Sequence, residues 1–429
     1  MPFISTYQGS EQEAWSIQQW LTHLEQIHPS NIELGLERVE EVFWNLQLDL
    51  SQRIIVTVAG TNGKGTTCAL IEQALLISGH SVAVFSSPHL LEYRERVRVA
   101  GTMLSEPAHC EAFLKVEQAR GDTSLTYFEF GALAALLLMA ESDAKYLLLE
   151  VGLGGRLDAV NIVDPSIAVI TSIDLDHQDW LGDTKELIAI EKAGIFRANI
   201  PAVIGEPHPP STLLDATLDY QVKPLWQGRD FDFQVNSTGF HWQGVNSCYD
   251  NLPVPNIPAQ NASTALQVIE TLGLHLNNKQ MVQVFSQTSL PGRRQVIQHN
   301  PTVILDVAHN PQASKLLALD IKNMKHKRVI AIVAMLADKD IVATLAPMLS
   351  VVSIWYCANL DVPRGAKSST LVNAVLSSEQ KVLDCSSVEV AYKCALEKAS
   401  EDDLVVVFGS FFTVTDVLKM GLLTPNKKV

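Results

Sequence analysis

Basic residues are in the minority in this 429-residue chain: 32 lysines and arginines stand against 47 aspartates and glutamates, for a formal net charge of -15. A protein that tracks a phosphate backbone needs clustered cations, so the deficit excludes a broad nucleic-acid footprint and confines any phosphate site to a local one. Cysteine is sparse as well. Cys68, Cys110, Cys248, Cys357, Cys385 and Cys394 are scattered without a Cys-x-x-Cys pair, which fits reduced structural thiols better than a disulfide frame or a zinc site. Long apolar runs are missing, and Met1 to Ser10 has no basic segment followed by an apolar stretch, so the expectation is a cytoplasmic protein with no membrane partner. Repeats and low-complexity tracts are also absent. What is plentiful is apolar surface to bury, with 47% hydrophobic, 18% charged and 7% aromatic residues. That composition is globular, and the length calls for two or three compact units, two being the working count.

Apolar residues at Ile32, Leu36, Val39, Phe43 and Leu46 recur at helical spacing and predict an amphipathic helix over 32–46. A strand over 54–58 follows, then a glycine-rich turn and a helix over 67–78 closed by Gly79. Further strands are expected at 82–85, 146–150 and 167–173, with helices at 128–139 and 184–195. Such alternation predicts an α/β architecture, a P-loop-type, mostly parallel sheet covered on both faces, with ligands beyond the strand C-termini. The proline-rich stretch 201–258 breaks the rhythm and reads as an excursion carrying a short hairpin around Phe231–Phe233 and Phe240–Trp242. After a helix over 259–272, the Pro291-Gly292 pair marks a linker at 291–296. It separates an N-terminal domain, 1–290, from a smaller Rossmann-like α/β domain, 297–429, with strands at 303–307, 329–333, 351–356 and 404–408.

Chemistry concentrates where strands end. Gly60, Thr61, Asn62, Gly63, Lys64, Gly65 and Thr66 follow the first strand and open a helix, the order a phosphate cradle requires. Glycines let backbone N–H groups converge on phosphate, while the helix N-terminus and Lys64 supply positive potential. The common pattern is met imperfectly, because Val58 stands where its first glycine belongs and Gly65 where a hydroxyl should follow the lysine. Glu150 ends an apolar strand, and Asp174-Leu175-Asp176-His177 ends the next. Each alone reads more often as a solvated loop. Together with the cradle they favour a metal site, although imidazole is an unusual ligand for Mg²⁺. Lys192 sits near a helix end, where a lysine is usually an exposed charge. Asp306-Val307-Ala308-His309-Asn310-Pro311 joins a strand to a helix; it is read equally well as a capped turn or as Asp306 and His309 facing a cleft between domains.

These motifs, with Ser86-Ser87-Pro88-His89-Leu90, Glu150-Val151-Gly152-Leu153-Gly154-Gly155-Arg156-Leu157-Asp158 and Glu191-Lys192-Ala193-Gly194, resemble the dihydrofolate synthase/folylpolyglutamate synthase family of the Mur ligase superfamily, over nearly the whole chain. The resemblance implies an ATP-dependent ligase that adds L-glutamate to dihydropteroate and to reduced folates through an acyl phosphate. A single-activity folylpolyglutamate synthase is the alternative, and another Mur-type amino-acid ligase a more distant one. It further implies two Mg²⁺ ions held by Ser87, Glu150 and His177, with room for a monovalent cation, and a carbamylated Lys192 acting as an extra oxygen ligand. ATP contacts fall by resemblance on the cradle, Asn261, Arg293 and Asp306, and His309 falls beside the transferred phosphate. Lys64, Lys192 and His309 are then the catalytic set. The pterin falls on Leu34, Gly35, Leu36, Glu37 and Arg38, on Thr126, Tyr127, Phe128 and Glu129, and on Leu157, Asp158 and Ala159. A monomer is the family-based expectation.

Overall fold

Apolar runs without polar alternation make strands buried on both faces, and five such runs lie at or next to the centre of an eight-stranded sheet. In chain order the strands are Ile54–Ala59 (β1), Val82–Phe85 (β2), Val97–Val99 (β3), Thr102–Met103 (β4), Tyr146–Glu150 (β5), Ile167–Ile170 (β6), Pro201–Ile204 (β7) and Lys223–Trp226 (β8). Their spatial order is β4-β3-β2-β5-β1-β6-β7-β8. β2 and β5 to β8 run parallel with β1, and β3 and β4 form an antiparallel margin. The computed structural model describes residues 11–30, 32–376 and 380–423. It divides the chain into two compact units: the first runs to His89 and takes Tyr93–Pro255 and Ala259–Thr288, and the second takes Leu90–Glu92, Asn256–Pro258 and everything from Ser289.

Helices of the first unit are Ile17–Leu24 (α1), Glu37–Leu46 (α2), Lys64–Ile77 (α3), Glu106–Arg120 (α4), Tyr127–Ala140 (α5), Gln178–Leu181 (α6), Lys185–Ala193 (α7), Ser211–Asp219 (α8), Ala259–Thr271 (α9) and Asn278–Gln287 (α10). α5 is apolar on nearly every side and correspondingly buried from Glu129 to Met139, as a helix without a polar face must be. The helix expected over 32–46 begins only at Glu37. Glu33 is held off the helical path by a hydrogen bond with His28 and an ion pair with Arg38, and Gly35 carries the largest backbone entropy cost of any residue a helix could enlist there.

The stretch expected to break the α/β rhythm keeps it to Trp226. Pro201 opens β7, a position where a strand tolerates a residue without N–H, and Pro210 caps α8. Only then do Asp232–Asn236 (β9), Gly239–Gln243 (β10) and Cys248–Leu252 (β11) form a separate antiparallel sheet, one strand more than a hairpin.

In the second unit Gln295–His299 (β12), Thr302–Leu305 (β13), Val329–Val333 (β14), Ile354–Ala358 (β15), Lys381–Cys385 (β16) and Leu404–Phe408 (β17) are ordered β12-β13-β17-β14-β15-β16. All pair in parallel except β12, which runs antiparallel along β13. Gln295 and Val296 of the expected linker therefore belong to a strand, and β16 was not foreseen. Helices Pro311–Lys322 (α11), Ile341–Leu345 (α12), Ser368–Val375 (α13), Val388–Lys398 (α14) and Phe411–Leu423 (α15) supply the cover. Leu317, Ile321 and Trp355 fill the core on one face, and Val388, Ala391 and Val414 that on the other. All six cysteines are free thiols. Among the described residues no helix is long and apolar enough to cross a membrane.

Candidate active site

β1 lies between β5 and β6 although the chain goes from β1 to β2, so the loops after β1, β5 and β6 meet where the strand order reverses direction, the place where open α/β sheets bind ligands. Gly60 and Gly63 take φ of 153° and 88°. A Cβ on Gly60 would lie 1.9 Å from Thr171 Oγ1, and one on Gly63 2.5 Å from Asn261 Oδ1, so neither position accepts a side chain. α3 starts at Lys64 with Gly63 as N-cap and no side-chain cap hydrogen bond. Its first N–H groups are therefore left for an anion to satisfy. Lys64 folds back, Nζ donating to the Gly60 carbonyl at 3.1 Å.

The loop is held from outside itself. Thr171 Oγ1 donates to the Asn62 carbonyl at 2.6 Å, Asn62 N–H donates to Ser172 Oγ at 3.1 Å, and Thr61 Oγ1 donates to the Asp174 carbonyl at 2.9 Å. Asn261, on α9, donates from Nδ2 to Thr66 Oγ1 at 2.8 Å, so it is brought onto the cradle from 195 residues away. Thr171 and Ser172 were not singled out from the sequence; their position at the end of a strand next to β1 is the signal that marks them.

Glu150, buried at the end of β5, accepts from the Ser87 N–H at 3.2 Å, which joins two of the three expected metal ligands. His177 stands at the start of α6 with a left-handed φ of 52° and an exposed side chain. Among the described residues there is no cluster of three or more His, Cys, Asp or Glu able to hold a metal ion; the set expected here has two such residues and a serine.

Lys192 is not the exposed charge its helix end suggests. It is 4% exposed, and burial first, then the Lys64 cation, push its amine down to about 7 against the pull of Asp176, Asp158 and Glu191. Backbone proximity fixes its place: a Cβ on Gly155 would fall 2.9 Å from the Lys192 carbonyl oxygen, and Arg156 N–H donates to the Glu191 carbonyl at 2.7 Å. Asp158 is buried and raised to about 6 by that burial, although it accepts from Leu153 and Val160 N–H at 2.8 and 3.1 Å.

The three segments expected at the pterin meet. Arg38 pairs with Glu129 at 2.8 Å, tying the segment Leu34 to Arg38 to the α5 N-terminus, where Thr126 and Glu129 form a reciprocal capping box. The Phe128 ring would lie 2.5 Å from a Cβ on Gly152, so only glycine lets that ring close over the loop leading to Leu157, Asp158 and Ala159. Tyr127 faces the buried Arg96 guanidinium at 5.4 Å.

In the second unit Asp306 is part-buried and accepts from Arg294 and Ala308 N–H at 2.9 and 2.8 Å; desolvation raises its carboxyl, opposed chiefly by Arg293. His309 Nδ1 lies 2.8 Å from the Val307 carbonyl, a contact that places the ring proton on Nδ1. Phe411, not foreseen, lies under both Arg293, at 4.8 Å, and His309, at 6.2 Å.

A parallel sheet with a glycine cradle, an uncapped helix N-terminus and a buried lysine and carboxylates at one edge defines a nucleotide-dependent α/β enzyme of the P-loop type. Residues 58–205 match the Mur ligase middle domain and residues 292–411 the Mur ligase glutamate ligase domain. The chain is 45% identical over 410 residues to the dihydrofolate synthase/folylpolyglutamate synthase of Escherichia coli, covering 95% of this chain and 96% of that one. A solved structure of Escherichia coli FolC in complex with DHPP and ADP superposes with a TM-score of 0.92 at 44% identity, over 96% of this chain and 99% of that one. A bifunctional folylpolyglutamate synthase/dihydrofolate synthase with Mn, AMPPNP and L-glutamate bound gives 0.89 at 45%, over 96% and 100%. The chain belongs to the Mur ligases and, within them, to the dihydrofolate synthase/folylpolyglutamate synthase family.

Proposed function

We propose that this chain uses ATP to join L-glutamate both to dihydropteroate, giving dihydrofolate, and to reduced folates, lengthening their glutamyl tail. The observation that carries it is the junction of the α3 N-terminus, Lys64 and the Ser87–Glu150 pair at one sheet edge, in a chain related along nearly its whole length to enzymes of both activities.

The α3 N–H groups and Lys64 hold the ATP phosphates and take up the charge that grows on them. Ser87, Glu150 and His177 would hold a divalent cation, which supplies further neutralisation of that charge. The hydroxyl and carboxylate oxygens of Ser87 and Glu150 suit such a hard cation, the His177 imidazole suits it less, and the Ser87 N–H already meets the Glu150 carboxylate. An oxygen of the substrate carboxylate attacks the γ-phosphorus in line, the bond to ADP breaks, and an acyl phosphate forms. The glutamate nitrogen then attacks the acyl carbon; phosphate departs and the nitrogen loses a proton. We assign ATP contacts also to Asn261, Arg293 and Asp306, the transferred phosphate to His309, and the pterin to the ring of segments around Arg38, Phe128 and Asp158. The Lys192 amine, neutral in a large fraction near pH 7, is suited to carbamylation, because carbon dioxide adds only to an unprotonated amine. With these assignments we place the protein in the cytoplasm as a monomer.

The acyl phosphate is tested with substrate labelled by oxygen-18 in its carboxylate. One labelled oxygen per inorganic phosphate is expected; unlabelled phosphate alongside ligated product would exclude the intermediate.

A further inference from the structure

Within electrostatic reach of Glu150 lies a largely buried ion pair that the proposed chemistry does not use. Arg98, on β3, holds Glu72, on α3, through two nitrogens: Nε donates to Oε1 and Oε2 at 3.2 and 3.3 Å, and Nη2 to Oε2 at 2.7 Å. Glu72 is 7% exposed. The Arg98 side chain keeps only 18% of its surface in water, and a pair so far withdrawn from solvent is a poor source of net stability because both ions give up most of their hydration. The remaining arm of the guanidinium shows what it reaches. Arg98 Nη1 donates to Ser86 Oγ at 3.4 Å and to the Glu95 carbonyl at 3.3 Å, while Ser86 N–H donates to the Arg96 carbonyl at 2.9 Å. Ser86 immediately precedes Ser87, whose N–H meets Glu150 Oε2.

We infer that Arg98 is a positioning residue for the divalent-cation site: with its charge cancelled by Glu72, it straps the Ser86–Ser87 turn against the end of β5 so that Ser87 and Glu150 stay paired. The two roles need each other. An uncancelled guanidinium near Glu150 would compete electrostatically with a divalent cation for the same carboxylate, whereas the paired one keeps its hydrogen-bonding arm and loses its field. Glu72 is placed for this by α3, the helix whose N-terminus forms the cradle, so strap and cradle share one rigid element. Outer partners of this kind orient metal ligands, and their removal weakens metal affinity about 10- to 100-fold. The inference rests on the proposed use of Ser87 and Glu150 as ligands.

Mn²⁺ binding to the ADP-bound protein, followed by electron paramagnetic resonance, tests it in three proteins beside the parent. Glu72→Gln keeps the shape and exposes the Arg98 charge; Arg98→Met with Glu72→Gln removes both charges and the strap; Ser86→Ala removes only the contact to the turn. The first two are expected to bind Mn²⁺ about tenfold more weakly and Ser86→Ala about threefold, in each case with ADP affinity measured without metal unchanged. A purely structural pair would lower thermal stability and both affinities together. A Ser86→Ala protein that binds Mn²⁺ as the parent does overturns the inference, whether or not the charge variants fold. If the parent itself binds no Mn²⁺ with ADP present, the ligand assignment fails first.

Discussion

An amine that titrates normally is neutral at pH 7 in about one molecule in 3,000, whereas one that titrates near 7 is neutral in about half. Lys192, which burial and the Lys64 cation bring to about 7, therefore gains roughly a thousandfold in reactivity toward carbon dioxide from its neutral fraction alone. The same arithmetic sets its pH dependence: about a tenth neutral at pH 6, about half at pH 7 and about nine-tenths at pH 8. Protein equilibrated with ¹³C-bicarbonate is expected to show one carbamate resonance that grows about ninefold between pH 6 and 8 and is missing from Lys192→Ala. Turnover lost in Lys192→Ala is expected to return in part with added acetate or formate, whose carboxylate enters the vacated space. Absence of the resonance at pH 8 in the nucleotide-bound protein, with Lys192→Ala fully active, would refute both the neutral amine and its modification.

Lys64→Ala removes the one side-chain cation on the cradle and is expected to lower kcat/KM with ATP by on the order of 10²- to 10³-fold while the thermal transition stays put; near-normal turnover would remove Lys64 from the phosphate site. Gly155→Ala places a Cβ 2.8 and 2.9 Å from the Glu191 and Lys192 carbonyl oxygens, so it is expected to cost about 1–3 kcal/mol in denaturant unfolding and to displace Lys192. His109 is fully buried, both ring nitrogens lack partners, and burial, aided by Arg94, brings it down to about 4. Because the unfolded chain takes up that proton near 6.5 and the folded one only near 4, stability falls as pH drops through this window, by up to roughly 3 kcal/mol. His89, also near 4, acts in the same direction and Asp158, raised to about 6, acts against both, so His109→Leu is expected to flatten the acid slope by one proton's worth, about 1.4 kcal/mol per pH unit between about pH 6 and 4.5; an unchanged slope would contradict the assignment to His109.

The cradle and Glu150 were legible in the sequence because strand, glycine turn and helix follow one another in the chain, and a carboxylate that closes an apolar run must sit at a strand end. What could not be read there is what comes from afar. Thr171 and Ser172 hold the cradle only because β6 pairs with β1, and strand adjacency is not a local property. Asn261 entered only through the family resemblance, for the same reason. The helix expected from Ile32 starts late because spacing records apolar faces and not the polar contacts with His28 and Arg38 that hold Glu33 outside α2. Pro201 and Pro210 read as breakers in the sequence although their positions, a strand start and a helix cap, are those a regular element accepts. Lys192 shows the opposite limit: its helix position suggested exposure, and only packing against the Gly155 loop buries it.

The most direct test of the central claim is phosphate release from ATP with L-glutamate and either dihydropteroate or a reduced folate monoglutamate, each product confirmed by mass. Release with both acceptors, each gaining one glutamyl unit, is the predicted result. Release with the folate alone would reduce the protein to a polyglutamate synthase, and release with neither would contradict the account and leave only its membership of the wider ligase family.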